Sequence, residues 1–129
     1  MDINTHLLIN RKLCGTPTVV QEGVAQLEMT ANDAMAADAT GLVHGGFIFG
    51  MADYAAMLAV NDPNVVLGAA DVNFLKPVAV DEMVVADARV RATKGNREVV
   101  DVRVQRAGED IFKGVFTCFV LEKHVLHEG

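Results

Sequence analysis

Cysteine, basic residues and long apolar runs are all scarce in this sequence. The 129 residues include only two cysteines, Cys14 and Cys118, which are too few and too far apart to predict a disulfide framework or a zinc site. Lys and Arg number 11 against 17 Asp and Glu, and the resulting charge of −6 disfavours a nucleic-acid partner because it would repel a phosphate backbone. Asp53 interrupts the richest apolar stretch, residues 47–60, which falls short of the roughly 18 to 20 residues that a membrane span requires.

The chain reads as one domain over residues 1–129. Its length suits a single core, and no repeat, linker or low-complexity tract divides it. Apolar residues make up 51% of the chain, with Ala and Val in excess over aromatics, so we expect much surface to be buried, in part between subunits. Asp2, His6 and Arg11 interrupt the apolar residues near the start, which is untypical of a signal peptide. We therefore expect a cytoplasmic protein.

Apolar periodicity predicts one long helix and a set of strands. Residues 46–61 follow helical spacing and are rich in Ala. A short amphipathic helix is also expected near the start, capped by Asn4 or Thr5 and ended by Gly15 and Pro17. Strand patterns cover residues 24–30, 65–75, 82–93, 97–106 and 111–122.

Short turns separate the last three strand patterns. Residues 94–97 and 107–110 both suit tight hairpins, so these strands are expected to form an antiparallel meander. One apolar helix beside an antiparallel sheet of about five strands is an α+β architecture, in which the sheet buries its apolar face on the helix.

Two consecutive glycines, Gly45 and Gly46, stand at the start of the long helix. Glycine is entropically costly there, which suggests that something approaches the backbone or that a positive φ is required. Free N–H groups at a helix start, together with the helix dipole, form a site for negative charge, including the oxyanion of acyl transfer. The alternative is that the glycines only let the loop turn.

Asp53 is the second candidate. A carboxylate within an Ala- and Met-rich helix is costly to bury, so it is partnered, placed at an interface or kept for chemistry. The alternative is a solvated helix position. Gly46 and Asp53 are seven residues apart, hence on one helix face but roughly 10 Å apart along the axis. Two antiparallel helices across a twofold axis would bring the glycine end of one near the acid of the other, which predicts a site shared between subunits.

The segment from His44 through Gly45 and Gly46 to Asp53 closely resembles the signature of hot-dog fold acyl-CoA thioesterases of the phenylacetate-degradation type. In that family, His-Gly-Gly opens the central helix and an Asp follows nine positions after the His. The resemblance extends over about residues 38–122.

The resemblance implies an antiparallel sheet wrapped around one central helix, a homodimer with a continuous sheet that is often doubled to a tetramer, and no metal or other cofactor. It also implies hydrolysis of an acyl-CoA to a carboxylic acid and free CoA. Gly45 N–H would polarise the thioester carbonyl, and Asp53 of the facing subunit would act as general base or as nucleophile.

Three positions depart from the family pattern. Asp38 stands where relatives commonly carry an amide, and a second carboxylate there would either raise a neighbour's pKa or simply be exposed. Met57 offers no hydroxyl where some relatives have one, which bears on how water or the acyl group is positioned. Residues 80–82 replace a turn that is common in relatives.

The remaining candidates each have a structural alternative. His44 either orients the loop by hydrogen bonding or acts as a general base. Lys76, Lys94 and Arg97 would contact the CoA phosphates or are ordinary surface charges.

Phe47, Tyr54 and Met57 would line an acyl tunnel or belong to the core. His124 and His127 have the spacing of a metal pair, but they lie on a polar tail without a third ligand and are better explained as a solvated terminus.

Two other functions are compatible with the same fold. The first is a non-catalytic acyl-CoA sensor or binding module, against which Asp53 argues. The second is a dehydratase or hydratase, whose chemistry would need a His and an acid around a β-hydroxyacyl chain, whereas the Gly-Gly and Asp arrangement fits hydrolysis better. Acyl-CoA thioester hydrolysis is therefore the function that the sequence predicts.

Overall fold

The computed structural model describes residues 1–127, which form six strands and one long helix. All neighbouring strands pair antiparallel, in the order β1-β2-β4-β5-β6-β3. This confirms the α+β architecture. The elements are α1 (Arg11–Cys14), β1 (Thr16–Gln21), β2 (Val24–Thr30), α2 (Gly45–Val60), β3 (Val65–Phe74), β4 (Met83–Lys94), β5 (Arg97–Arg106) and β6 (Glu109–Val120).

Helix α2 lies against the inner face of the sheet and most of its side chains are buried. It begins after His44 and ends at Asn61, which adopts the left-handed conformation with a φ of 55° and donates its N–H to the carbonyl of Met57. The Ala-rich sequence lets the sheet come close, because small side chains shorten the helix-to-sheet distance. No helix within residues 1–127 is both long and apolar enough to cross a membrane.

The expected helix near the start is mostly absent, and this prediction was wrong. Helix α1 is a single turn capped by Asn10, whose side chain accepts from the N–H groups of the second and third residues after it, and it ends at Gly15 as expected. The residues before it are held by tertiary contacts instead. Asn4 N–H donates to Oδ1 of Asn61 at 2.8 Å, and Nδ2 of Asn61 donates to the carbonyl of Asp2 at 2.7 Å.

The meander of β4, β5 and β6 is confirmed, with tight turns at both connections. Gly95 has a φ of 62°, and Ala107 and Gly108 have φ values of 50° and 80°, which suit two-residue hairpins. The second turn is shorter than expected because Arg106 already pairs with Glu109. The sixth strand, β1, was not separated in the sequence prediction, since Pro17 and the bulge that follows it break the period of two.

Strand β3 lies at one edge of the sheet. It pairs with β6 on one side, and within residues 1–127 no strand pairs with its other side. Most of its side chains after Leu67 are exposed. A ten-residue edge strand of this kind presents a row of free backbone hydrogen-bonding groups, which is a template for pairing with another chain.

Candidate active site

His44 caps the first turn of α2. Its Nδ1 accepts from Gly46 N–H at 2.7 Å, so the neutral imidazole carries its proton on Nε2. The carbonyl of His44 accepts from Phe47 N–H at 3.1 Å. With this geometry, the His44 side chain orients the loop and the start of the helix. This is the first of the two roles considered for His44, the other being a general base.

Gly45 and Gly46 both have ordinary negative φ values, so a left-handed backbone is not the reason for glycine here. A Cβ on Gly45 would lie 3.2 Å from Cε2 of Phe74, and a Cβ on Gly46 would lie 2.9 Å from Nδ1 of His44. Glycine therefore admits the Phe74 ring at one position and the His44 cap at the other. Among residues 1–127, no acceptor is present for Gly45 N–H.

A cavity of about 210 Å³ opens beside Gly45. Lys76 lies on its rim and forms an exposed ion pair with Glu109 at 2.9 Å. Most of the residues that line this cavity were not predicted as site residues from the sequence. The sequence signal that could have indicated them is Phe74, a large aromatic residue at the end of an edge strand. The lining consists of Val43, Gly45, Ile48, Phe74, Lys76, Pro77, Val78 and Ile111.

Asp53 is half-buried in the middle of α2. Its Oδ1 is buried and has no hydrogen-bond partner within residues 1–127. Burial raises the pKa of Asp53 to about 6, because the low-polarity surroundings disfavour the ionised carboxylate. The fully solvated position considered as its alternative is therefore excluded in this structure.

Gly46, Gly50 and Asp53 share one face of α2 by their spacing of four and three residues. A Cβ built on Gly50 would meet nothing within 4 Å. The close packing that would explain a glycine in mid-helix is therefore not provided by the described residues of this chain. The part of this face at Gly50 is therefore open for the approach of another element.

The two thiols lie near enough to Asp53 to be affected by its charge. Burial raises the pKa of Cys14, and the Asp53 carboxylate raises it further. The same causes, with the addition of Glu98, raise the pKa of Cys118 to about 12. Both thiols are therefore protonated at neutral pH and are poor nucleophiles.

Asp38 is exposed and tied into its own turn. One carboxylate oxygen accepts from the N–H of Thr40 at 2.9 Å and from its hydroxyl at 2.6 Å. These hydrogen bonds hold the pKa of Asp38 below its ordinary value. Asp38 makes no contribution to the raised pKa of Asp53. Of the two roles considered for Asp38, raising the pKa of a neighbour or simply being exposed, the structure therefore supports the second.

Phe47, Tyr54 and Met57 lie in different surroundings. Tyr54 and Met57 are buried in the core, where the Tyr54 ring stacks on the His6 ring at a centroid distance of 6.1 Å. Phe47 is half-buried and meets His44 edge to face at 6.2 Å. In the single subunit Tyr54 and Met57 are core residues, and contact with an acyl chain stays a prediction for all three.

The three basic candidates are not brought together. Lys76 follows β3 and borders the cavity at Gly45, whereas Lys94 and Arg97 form the closing pair of the β4–β5 hairpin. Arg97 lies opposite Phe119, near the start of β3, so the hairpin stands at the opposite end of the sheet from Lys76. Of these three candidates, only Lys76 therefore lies beside Gly45 of the same subunit.

The histidines of the tail are exposed, and Nδ1 of His124 accepts from Leu126 N–H at 3.1 Å. No group of three or more His, Cys, Asp or Glu residues within residues 1–127 is arranged to hold a metal ion.

A family model described as the thioesterase superfamily matches residues 40–112, more than half of the chain. The chain therefore belongs to the thioesterase superfamily. Its fold is the hot-dog fold, which the solved structures support. An uncharacterized protein of Pyrococcus horikoshii, PH1136, is 50% identical, with a TM-score of 0.97 over 98% of both chains.

Two other solved structures are more distant and show the fold alone. The PaaI protein from the phenylacetic acid degradation operon of E. coli has a TM-score of 0.74 and 24% identity over 80% of each chain. A hypothetical thioesterase of Streptococcus pneumoniae, solved with coenzyme A, has a TM-score of 0.77 and 20% identity over 84% of this chain and 87% of that one.

Curated relatives are longer than this chain. A methylthioribose-1-phosphate isomerase of Aquifex aeolicus is 50% identical over 95% of this chain, which spans only 27% of that protein. The transcription factor FapR of Caldanaerobacter subterraneus is 30% identical over 67% of this chain and 44% of the factor.

Proposed function

We propose that the protein is an acyl-CoA thioesterase that hydrolyses an acyl-CoA or aryl-acyl-CoA thioester to a carboxylic acid and free CoA. The observation that carries the proposal is Asp53, a half-buried carboxylate with an unpartnered Oδ1 and a pKa of about 6. Burying such a group without a partner costs stability, and groups of this kind concentrate at functional sites. Membership of the thioesterase superfamily gives the reaction class.

Gly45 N–H is the proposed donor to the thioester carbonyl oxygen. It lies at the positive end of the α2 dipole and borders an apolar cavity, where a hydrogen bond to developing negative charge is worth more than in water. Lys76 on the same rim is the candidate for a contact with a CoA phosphate.

Asp53 has two possible routes to the acyl group. As a general base it takes a proton from water while the water oxygen attacks the carbonyl carbon; the tetrahedral intermediate then expels the CoA thiolate, which receives the proton. As a nucleophile it forms a mixed anhydride and releases the thiolate, after which water cleaves the anhydride. A pKa near 6 leaves Asp53 ionised at neutral pH but more basic than an ordinary aspartate.

The proposed site is shared by two subunits. Gly46 and Asp53 of one helix are roughly 10 Å apart along its axis, too far to act on one carbonyl. An antiparallel α2 from a second subunit brings its Asp53 towards this Gly45. The open edge of β3 and the empty space beside Gly50 support such a homodimer. The family resemblance implies that two such dimers form a homotetramer, and we include this in the proposal.

A second candidate function is non-catalytic acyl-CoA binding. The similarity to the transcription factor FapR over 67% of the chain favours this function, because it indicates that a related domain is part of a regulatory protein. Asp53 argues against it, since binding alone gives no reason to keep an unpartnered carboxylate half-buried.

Thiol release from short, medium, long and aromatic acyl-CoAs separates the two functions. Asp53→Asn keeps the size of the side chain and removes the base. Glu22→Gln, at an exposed carboxylate between β1 and β2, is the matched control. Loss of turnover in Asp53→Asn, with Glu22→Gln unaffected and the oligomer intact by light scattering, supports hydrolysis. Acyl-CoA binding by calorimetry without turnover in any of the three proteins would refute it in favour of the binding module.

A further inference from the structure

Exposed apolar side chains stand at both ends of the open edge strand β3. Leu7 and Leu8, 72% and 99% exposed, border an open groove of about 650 Å³ together with Val65 at the start of the strand. Phe74 and Leu75, 55% and 44% exposed, lie at its other end. Apolar surface of this kind marks a binding surface when it is contiguous.

Leu7 and Leu8 are presented on a fixed turn. Thr5 is buried, and its hydroxyl lies 2.8 Å from Nδ1 of His6, whose ring stacks on Tyr54 of α2. Ile9 N–H donates to the carbonyl of His6 and closes the turn. A turn anchored on both sides holds the two leucines outward without the entropic cost of ordering a loose segment on binding.

A twofold axis at Ala70, near the middle of β3, lets almost the whole strand pair with a second copy of itself. This register places Asp71 opposite Ala69 of the partner subunit and so avoids two facing carboxylates. Beyond the bulge at Gly68, Val65 then faces Phe74 of the partner subunit, and both side chains point to the inner face in their pairing with β6.

This register joins the two apolar ends. Leu7 and Leu8 line the same groove as their own Val65, and in this register Val65 is opposite the partner's Phe74, which borders the cavity beside the partner's Gly45. That cavity, about 210 Å³ in one subunit, is smaller than the roughly 300 to 1,000 Å³ of small-molecule sites, so a single subunit does not complete it.

We propose that Leu7 and Leu8 of each subunit cover the cavity beside Gly45 of the partner subunit and form the far wall of its acyl pocket. This inference rests on the proposed acyl-CoA function for the identity of the ligand, but not for the contact between subunits. Leu7 and Leu8 are then specificity-determining residues, acting on the part of the acyl chain that extends beyond the first few carbons.

Cross-linking tests the contact without any need for activity. Leu8→Cys and Phe74→Cys are combined in one chain and treated with a short bis-maleimide. A dimer band on a denaturing gel is expected for this double variant and not for either single variant, which controls for Cys14 and Cys118. Leu8→Cys with Met83→Cys is the matched control, since Met83 is also exposed but lies on β4, three strands away from β3. Absence of the specific dimer band overturns the contact.

Acyl-chain selectivity tests the role of the contact. Leu8→Ser is expected to lower kcat/KM for octanoyl-CoA about tenfold, since burying a leucine contributes about 1.5 kcal/mol or more, and to leave acetyl-CoA within about twofold. Met83→Ser should change neither. An equal loss for both substrates, or none, overturns the acyl role. If no acyl-CoA is hydrolysed or bound, the proposed function fails, while the cross-link still decides the subunit contact.

Discussion

The raised pKa of Asp53 implies that this residue destabilises the folded protein at neutral pH. Its pKa is 3.8 in the unfolded reference and about 6 in the folded chain. Below the lower value the carboxyl group is protonated in both states, so it contributes no difference. Above the higher value it is ionised in both, and burial of the charge then costs about 3 kcal/mol of folding free energy. The penalty therefore develops as the pH rises between these two values.

Asp53→Asn removes this pH-dependent penalty. The free energy of unfolding of the variant minus that of the native protein should increase by about 2 kcal/mol between pH values of about 4.5 and 8. Any fixed effect of burying the amide is the same at both pH values and cancels from the comparison. Because the penalty comes from desolvation, a charge-neutral side chain of the same shape is the appropriate perturbation.

Urea unfolding of both proteins, followed by circular dichroism at one fixed subunit concentration, measures this difference. For Glu22→Gln, at an exposed carboxylate, the difference in unfolding free energy from the native protein should not change comparably between the two pH values. If the stability gap of Asp53→Asn is the same at both pH values, the carboxylate is not desolvated in the assembled protein, and the reasoning from its burial is refuted.

The other predictions concern the same helix. The native kcat/KM should rise with pH through about 6 and then level off, because Asp53 must be ionised to act; a profile that falls over this range would contradict its role as base or nucleophile. Gly45→Ala should lower kcat/KM on the order of tenfold to a hundredfold, since the new methyl group displaces Phe74 and crowds the carbonyl site; steady-state kinetics measure it, and an unchanged rate would mean that the thioester carbonyl does not bind in the space beside Gly45. His44→Ala should lose about 1 kcal/mol of unfolding free energy with the cap, while His44→Asn restores both stability and rate; a rate restored by neither variant would indicate proton transfer by His44. Gly50→Ala should weaken the dimer in analytical ultracentrifugation, because a second helix needs the space beside Gly50; a more stable protein with unchanged association would mean that this face is solvated.

Local patterns predicted most of the elements closely. Strand β2 has the expected bounds, and α2 begins and ends one residue before the expected range, since apolar periodicity and terminal signals act over a few residues. The expected helix around Leu7 and Leu8 failed although its spacing was amphipathic. His6 has a φ of 55°, and Asn61 binds the segment from a distant part of the chain, so tertiary hydrogen bonds outweighed the local preference.

The candidate site divides in the same way. The residue types and their spacing along α2, from His44 to Asp53, were sufficient to predict a helix start suited to an acyl group and an acid on the same face. Whether that acid is desolvated depended on the sheet that covers it, because burial is a property of packed neighbours and not of spacing. Likewise Lys76 and Lys94 are equivalent as sequence positions, and only the order of the strands places the first beside Gly45 and the second at the opposite end of the sheet. Sequence periodicity determined most of the elements and which side chains each presents, whereas the pairing of distant strands decided which groups meet and how strongly their pKa values are shifted.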